Sequence, residues 1–246
     1  MGLTPKALHL PLRPQQQVCT VGGDPSLWLL DRRQHRLLDR TGKLSALGHT
    51  LQSWLSPSEL ERWRRLHRRD DQERVLLAWA GLRALLAQAL NQTPDQIALS
   101  RSPWGKPHLG GAAEGLLQFN LSHAGELVLI GLHQHAPVGV DLEPLHGQCQ
   151  PLGQQERLTI ARQLFPAAAV NVLRQLPEQQ QEHWFLQQWC QLEARLKAIG
   201  TGWNTGAAKA ATPATVKDIA VALPSGYVGH CCLLLSADRQ AVSPTH

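Results

Sequence analysis

Asp141 and Glu143 stand two residues apart in Val138-Gly139-Val140-Asp141-Leu142-Glu143. A third acid, Glu193, precedes Lys197 by four residues in Trp189-Cys190-Gln191-Leu192-Glu193-Ala194-Arg195-Leu196-Lys197. If the first segment is a strand, residues i and i+2 share a face and its two carboxylates project together. If the second is a helix, Glu193 and Lys197 lie one turn apart. Three acids and an ammonium suit a hard divalent cation, Mg²⁺ or Mn²⁺, holding a phosphate-bearing substrate. Taken singly the pieces are weak. An i,i+4 pair is ordinarily a surface contact worth ~0.3–0.5 kcal/mol, and exposed strand edges often carry charge.

The elements that must position these groups follow from the apolar pattern. Ser56-Pro57-Ser58-Glu59 has a serine N-cap, a proline at the first helical position and an acid three residues after the cap, which marks a helix start. That helix is strongly basic through Arg62, Arg64, Arg65 and Arg68. A second helix is expected from about Asp70 to Leu90, ended by Asn91-Gln92-Thr93-Pro94. Short strands are expected at Leu27 to Leu30 and Ile97 to Ser100. Ser102-Pro103-Trp104-Gly105-Lys106-Pro107 reads as a loop. Leu116 to Leu121 and Leu127 to Leu132 read as neighbouring strands joined through Ser122-His123-Ala124-Gly125-Glu126. The acidic strand follows Pro137, and a glutamine-rich, mostly helical region spans about 146 to 182. The helix carrying Glu193 is expected from about Glu182 to Ile199, stopped by Gly200 and Gly202. Phe185, Trp189, Leu192, Leu196 and Ile199 would form its core-facing stripe, with Glu193 and Lys197 along the edge. Strands near Val216 to Leu235 close the chain. Helices and strands mix without regular β-α-β alternation, so the expected class is α+β.

Composition narrows the partners. Of 246 residues, 43% are hydrophobic and 17% charged, a globular balance with enough chain for one large core or two smaller ones. The net charge of +5 fits an anionic partner: nucleic acid, a membrane surface, a polyphosphate cofactor or an acidic protein. Five cysteines without a C-x-x-C pair argue against a disulfide framework or zinc knuckle. His133-x-His135 and Cys231-Cys232 are poor candidates for a metal site. The longest apolar stretch, Val75 to Leu90, is interrupted by Arg83, and the N-terminus lacks a secretory pattern; a cytoplasmic protein without a membrane partner is expected.

Four segments occur in order: Gly105-Lys106-Pro107; Phe119-Asn120-Leu121-Ser122-His123; Gly139-Val140-Asp141-Leu142-Glu143; and Trp189-x-x-x-Glu193-Ala194-x-x-Lys197-x-x-Gly200. Together they resemble the 4'-phosphopantetheinyl transferases of the larger, Sfp-type class, over most of the chain from about Ser56. The resemblance implies a pseudo-dimer of two similar α/β halves, 1–136 and 137–246, meeting near Pro137 with the active site in the cleft between them. It implies transfer of phosphopantetheine from coenzyme A to a serine of an apo carrier protein, by a monomer, with release of adenosine 3',5'-bisphosphate. Asp141, Glu143 and Glu193 would hold Mg²⁺ against the pyrophosphate. Glu193, or a water it positions, would be the base, and Lys197 would act in catalysis and in phosphate binding. Arg62, Arg74, Lys106, Ser122 and His123 would bind the coenzyme's phosphates or its adenosine end. Two positions depart from the pattern. Leu192 stands where many relatives carry lysine, and Glu59 where some carry a basic residue. Arg195 is a doubtful substitute, since it projects about 200° around the helix from Glu193. The rival within the fold is a coenzyme A or carrier-protein binding module of weak turnover. From another class, nucleic-acid binding by the basic helix is disfavoured by its interleaved acids.

Overall fold

A computed structural model describes residues 2–10, 24–145, 152–203 and 215–235. The chain runs β1 (Lys6–Ala7), β2 (Ser26–Asp31), α1 (Ala46–Ser53), α2 (Pro57–Arg64), α3 (Arg69–Leu90), β3 (Leu99–Arg101), β4 (Pro107–Leu109), β5 (Gln118–Ala124), β6 (Leu127–His133) and β7 (Val138–Pro144). It continues with α4 (Gln154–Leu164), α5 (Ala167–Gln175), α6 (Glu178–Ile199), β8 (Thr215–Ala220) and β9 (Tyr227–Leu235). One sheet has the order β1-β2-β6-β5, another β7-β9-β8, and β3 pairs with β4 alone. The class is α+β, as expected. Each of the two larger sheets is accompanied by a 22-residue helix, α3 or α6, which is the repeat underlying the pseudo-dimer architecture.

Strand β6 explains how the sheets unite. All seven of its residues are buried. Val128, Ile130 and Leu132 face a core shared with α3, while Leu127 and Leu129 turn to the other side. There, with Leu27, they meet Val138, Val140 and Leu142 of β7 and Cys231 and Leu233 of β9. Full burial of such side chains stabilises by about 1.5–3 kcal/mol each. Gly131 makes the approach possible, because a Cβ there would lie 2.8 Å from Val140. With its apolar residues turned to β6, β7 turns Gly139, Asp141 and Glu143 to its opposite face.

The start of α2 follows the expected signature. The Ser56 side chain accepts from Glu59 N, and the Glu59 carboxylate accepts from Ser56 N. Glu59 is also buried against Arg83, Nε to Oε2 2.8 Å, and Arg83 donates to the carbonyls of Pro94 and Ile97. Its acid is therefore structural. Helix α3 ends at Asn91 in the left-handed region (φ 53°), and α6 at Gly200 (φ 84°).

Helix α2 ends at Arg64, so Arg68 stands instead at the start of α3, and three further expectations change. Strand β5 continues through Ser122 and His123 to Ala124, so only Gly125-Glu126 forms the turn and both candidate ligands lie on the strand. Helix α6 begins at Glu178, one turn early, directly after Pro177. The expected core stripe of α6 is half-buried at Trp189, Leu192, Leu196 and Ile199; the fully buried face of its last turns is Cys190, Ala194 and Ala198. Small side chains win that face because they let the helix backbone reach the sheet. Of the glutamine-rich region, 152–182 is largely helical and 146–151 lies outside the described residues. Among the described residues no helix is long and apolar enough to cross a membrane.

Candidate active site

The contact between α6 and β7 is set by glycine. A Cβ on Gly139 would fall 1.9 Å from the Ala194 carbonyl oxygen and 2.4 Å from Ala198 N. Backbone thus packs on backbone, and the residues preceding the two alanines, Glu193 and Lys197, flank the strand that carries Asp141 and Glu143. From the other side, β5 lies beside β7, and Asn120 Oδ1 accepts from Val140 N at 2.9 Å.

Three predicted residues meet at one point. The Lys197 ammonium lies 2.6 Å from Asp141 Oδ1 and 3.1 Å from Ser122 Oγ, and Ser122 Oγ donates to the same Asp141 oxygen at 2.9 Å. Asp141 is buried and its second oxygen, Oδ2, has no hydrogen-bond partner among the described residues. Burial first, then the charges of Asp141 and Glu193, push the Glu143 carboxyl up to about 7. Burial also raises Glu193, opposed by Lys197 and by a hydrogen bond from Trp203. The three acids thus feel one another's charge. Among the described residues, however, no group of three or more histidine, cysteine, aspartate or glutamate side chains is set closely enough to hold a metal ion. In this arrangement Lys197 supplies the positive charge that faces Asp141. The chemistry of the three acids nonetheless fits a divalent cation. A buried orphan oxygen and two acids of raised affinity for protons are what a hard ion would relieve.

A cationic wall adjoins the acids. Burial lowers the affinity of His123 for protons, and Arg74 and Lys197 lower it further. His123 Nδ1 and Arg74 Nε are buried without hydrogen-bond partners among the described residues. Arg74 is anchored by Asp71 and by donation to the Gly125 carbonyl at 3.1 Å. Two orphan nitrogens near an ammonium suit an anion.

The remaining candidates are placed differently. The Lys106 ammonium donates to the Ala198 carbonyl at 2.8 Å and contacts that of Val138 at 3.4 Å. It therefore caps α6 and ties the Gly105 loop to β7, and burial pushes its pKa down to about 8. Arg62 is exposed on α2 beside Arg101, whose guanidinium lies over the Trp79 ring and donates to the Gly105 carbonyl. Leu192 packs with the α4–α5 cluster. Arg195 is held by Asp218 of β8, Nε to Oδ1 2.9 Å, and is spent there rather than replacing a phosphate ligand. A cavity of about 260 Å³ is lined by Trp79, Trp104, Lys106, Asn120, Glu193 and Lys197, among others.

Sequence reasoning missed Asn120 as the strap on β7, Trp203 as the partner of Glu193 and Arg32 as a hub. Arg32 pairs with Asp70, Glu73 and Glu126. Asn120 lay inside a quoted motif; Arg32 carried no local signal, since its partners are remote in sequence.

Residues 46–135 match the family described as 4'-phosphopantetheinyl transferase, N-terminal, and residues 137–224 the 4'-phosphopantetheinyl transferase superfamily. The chain is 34% identical over 155 residues to a putative 4'-phosphopantetheinyl transferase of Synechocystis sp., covering 63% of this chain and 61% of that one. It is 32% identical over 179 residues to the 4'-phosphopantetheinyl transferase HetI of Nostoc sp., covering 72% and 73%. With 4'-phosphopantetheinyl transferase Sfp of Bacillus subtilis it shares 26% over 150 residues, covering 61% and 62%. The match thus spans about three fifths of the first and third relatives and nearly three quarters of the second. The chain belongs to the 4'-phosphopantetheinyl transferase superfamily, in its larger Sfp-type class.

Proposed function

We propose that the chain transfers 4'-phosphopantetheine from coenzyme A to a serine of an apo carrier protein in a Mg²⁺-dependent reaction. The observation that carries this reading is the meeting of Lys197, Ser122 and Asp141 at one buried point, with Glu143 and Glu193 in electrostatic reach. Asp141, Glu143 and Glu193 would hold the divalent ion, which when bound neutralises pyrophosphate oxygens and stabilises charge on the leaving group. Lys197 would then leave Asp141 for a phosphate oxygen. Arg74, Ser122 and His123 would grip further oxygens, Lys106 another on leaving its carbonyls beside the same cavity, and Arg62 the coenzyme's adenosine end. Glu193, or a water it orients, takes the proton of the carrier's serine hydroxyl. The serine oxygen bonds to the β-phosphorus, the pyrophosphate P–O bond breaks in line, and adenosine 3',5'-bisphosphate departs with the electron pair.

The halves 1–136 and 137–246 would close on the coenzyme as a monomer. Buried free thiols at Cys190, Cys231 and Cys232 fit a reducing, cytoplasmic setting.

The test is the intact mass of an apo carrier domain after incubation with the protein, coenzyme A and Mg²⁺. A gain of one phosphopantetheine on the serine is expected. Asp141→Ala and Glu193→Gln should cut the rate by orders of magnitude (~10²-fold or more) at unchanged fold, without rescue by added coenzyme A. Coenzyme binding without mass gain in the unaltered protein would support the binding-module reading instead.

A further inference from the structure

The Gly125-Glu126 turn, between β5 and β6, is gripped from three directions. Arg32 N donates to the Glu126 carbonyl at 2.8 Å, and the Arg32 guanidinium takes both Glu126 carboxylate oxygens at 3.0 and 2.8 Å. Arg74 donates to the Gly125 carbonyl. The third hold comes from the other sheet: the Tyr227 hydroxyl accepts from Glu126 N at 2.9 Å. Gly125 is at φ +53°, and a Cβ on it would fall 2.4 Å from Tyr227 Oη. The phenol is thus pressed onto the bare backbone of a left-handed glycine. Tyr227 itself is fixed at the end of β9, paired with Pro144 next to Glu143.

We propose that Tyr227 is a positioning residue: its hydroxyl locks the Gly125-Glu126 turn onto the β7–β9 sheet and so sets Arg74 and His123 against the carboxylates of β7. This rests on the phosphopantetheinyl-transfer reading above. The reasoning is geometric. Arg74 touches the turn directly, and His123 lies two residues before Gly125 on the same strand. Asp141 and Glu143 lie on the strand paired with Tyr227's own. A hydroxyl spanning the two sheets here fixes the distance between anion-gripping nitrogens and acidic oxygens. The bound phosphates must bridge that distance. Arg32 holds the turn only to the N-terminal sheet and to α3, so it does not set this spacing.

Tyr227 is the single tyrosine of the chain, which makes it readable by itself. Protein grown with 3-fluorotyrosine gives one ¹⁹F resonance, expected to shift when adenosine 3',5'-bisphosphate is added; tryptophan fluorescence reports binding of the same probe independently. Tyr227→Phe keeps the ring and removes the acceptor. Its KM for coenzyme A should rise roughly five- to tenfold, the weight of about one hydrogen bond. Its kcat should fall less than KM rises, and thermal stability should stay close to that of the unaltered protein. Gly125→Ala, which displaces the hydroxyl from the other side, should show the same split. A Tyr227→Phe protein with unchanged KM, or a fluorine resonance that ignores the bound bisphosphate, overturns the proposal alone. An unaltered protein that binds neither the bisphosphate nor coenzyme A overturns the transfer reading and this proposal with it.

Discussion

Lys106 shows how a residue type recognised in a motif acquires a role from its surroundings. The Gly105-Lys106-Pro107 loop pointed to a phosphate contact, yet the ammonium rests on carbonyls of α6 and β7. Burial holds its pKa near 8, below the ordinary 10.5. Below pH 8 both folded and unfolded chains carry the proton, and the full cost of burying the charge is felt. Between about 8 and 10.5 the unfolded chain binds more protons, so stability rises with pH across that window. Lys106→Met keeps the stem and removes the charge. Urea unfolding at pH 7 and pH 9.5 should show the unaltered protein gaining on the variant at the higher pH. A difference independent of pH would mean that this ammonium is not buried as described. The site residues themselves were legible to different degrees. Asp141, Glu193 and Lys197 stood out by type and spacing. The hold of Lys197 on Asp141 was not readable, because it depends on how closely α6 approaches β7.

That approach is a property of elements. Helix boundaries were readable where capping chemistry is local, as at Ser56 and Gly200. The buried face of α6 was not. Large apolar residues at helical spacing pointed to Trp189, Leu192 and Leu196, whereas Cys190, Ala194 and Ala198 form the contact. Periodicity weights hydrophobicity and overlooks closeness, and here a glycine on the opposing strand decided the matter. Gly139→Ala should therefore force α6 away from β7. The expected cost is roughly 1–3 kcal/mol, as for overpacked cores, seen as a lowered midpoint of unfolding. Transfer should fall by more than that loss of stability explains, since Glu193 and Lys197 move with the helix. Full activity with ordinary stability would show that the close packing is not needed.

At the scale of the whole molecule, the two sheets share a core through β6, and the N-terminus stitches them again. Leu3 pairs with Val221 beside β8, while the residues just after it, β1, join β2 in the other sheet. The N-terminal segment therefore touches strands on both sides of the proposed division between 136 and 137. A short segment with no motif gave no signal for this crossing. The two sheets share a core and a strap, and along their junction the acids of β7 and α6 lie near Arg74 of α3 and the neutral His123 of β5. The proposed function makes one demand above the rest: Asp141, Glu143 and Glu193 would serve a single divalent ion once Lys197 gives way to a phosphate. Crystals grown with coenzyme A and Mn²⁺, measured at the manganese absorption edge, locate that ion directly. The expected result is one anomalous peak held by oxygens of all three carboxylates, at about 2.1–2.2 Å, close to the spacing for Mg²⁺. A peak held by other residues, or by Glu193 alone with Asp141 still on Lys197, would contradict the assignment.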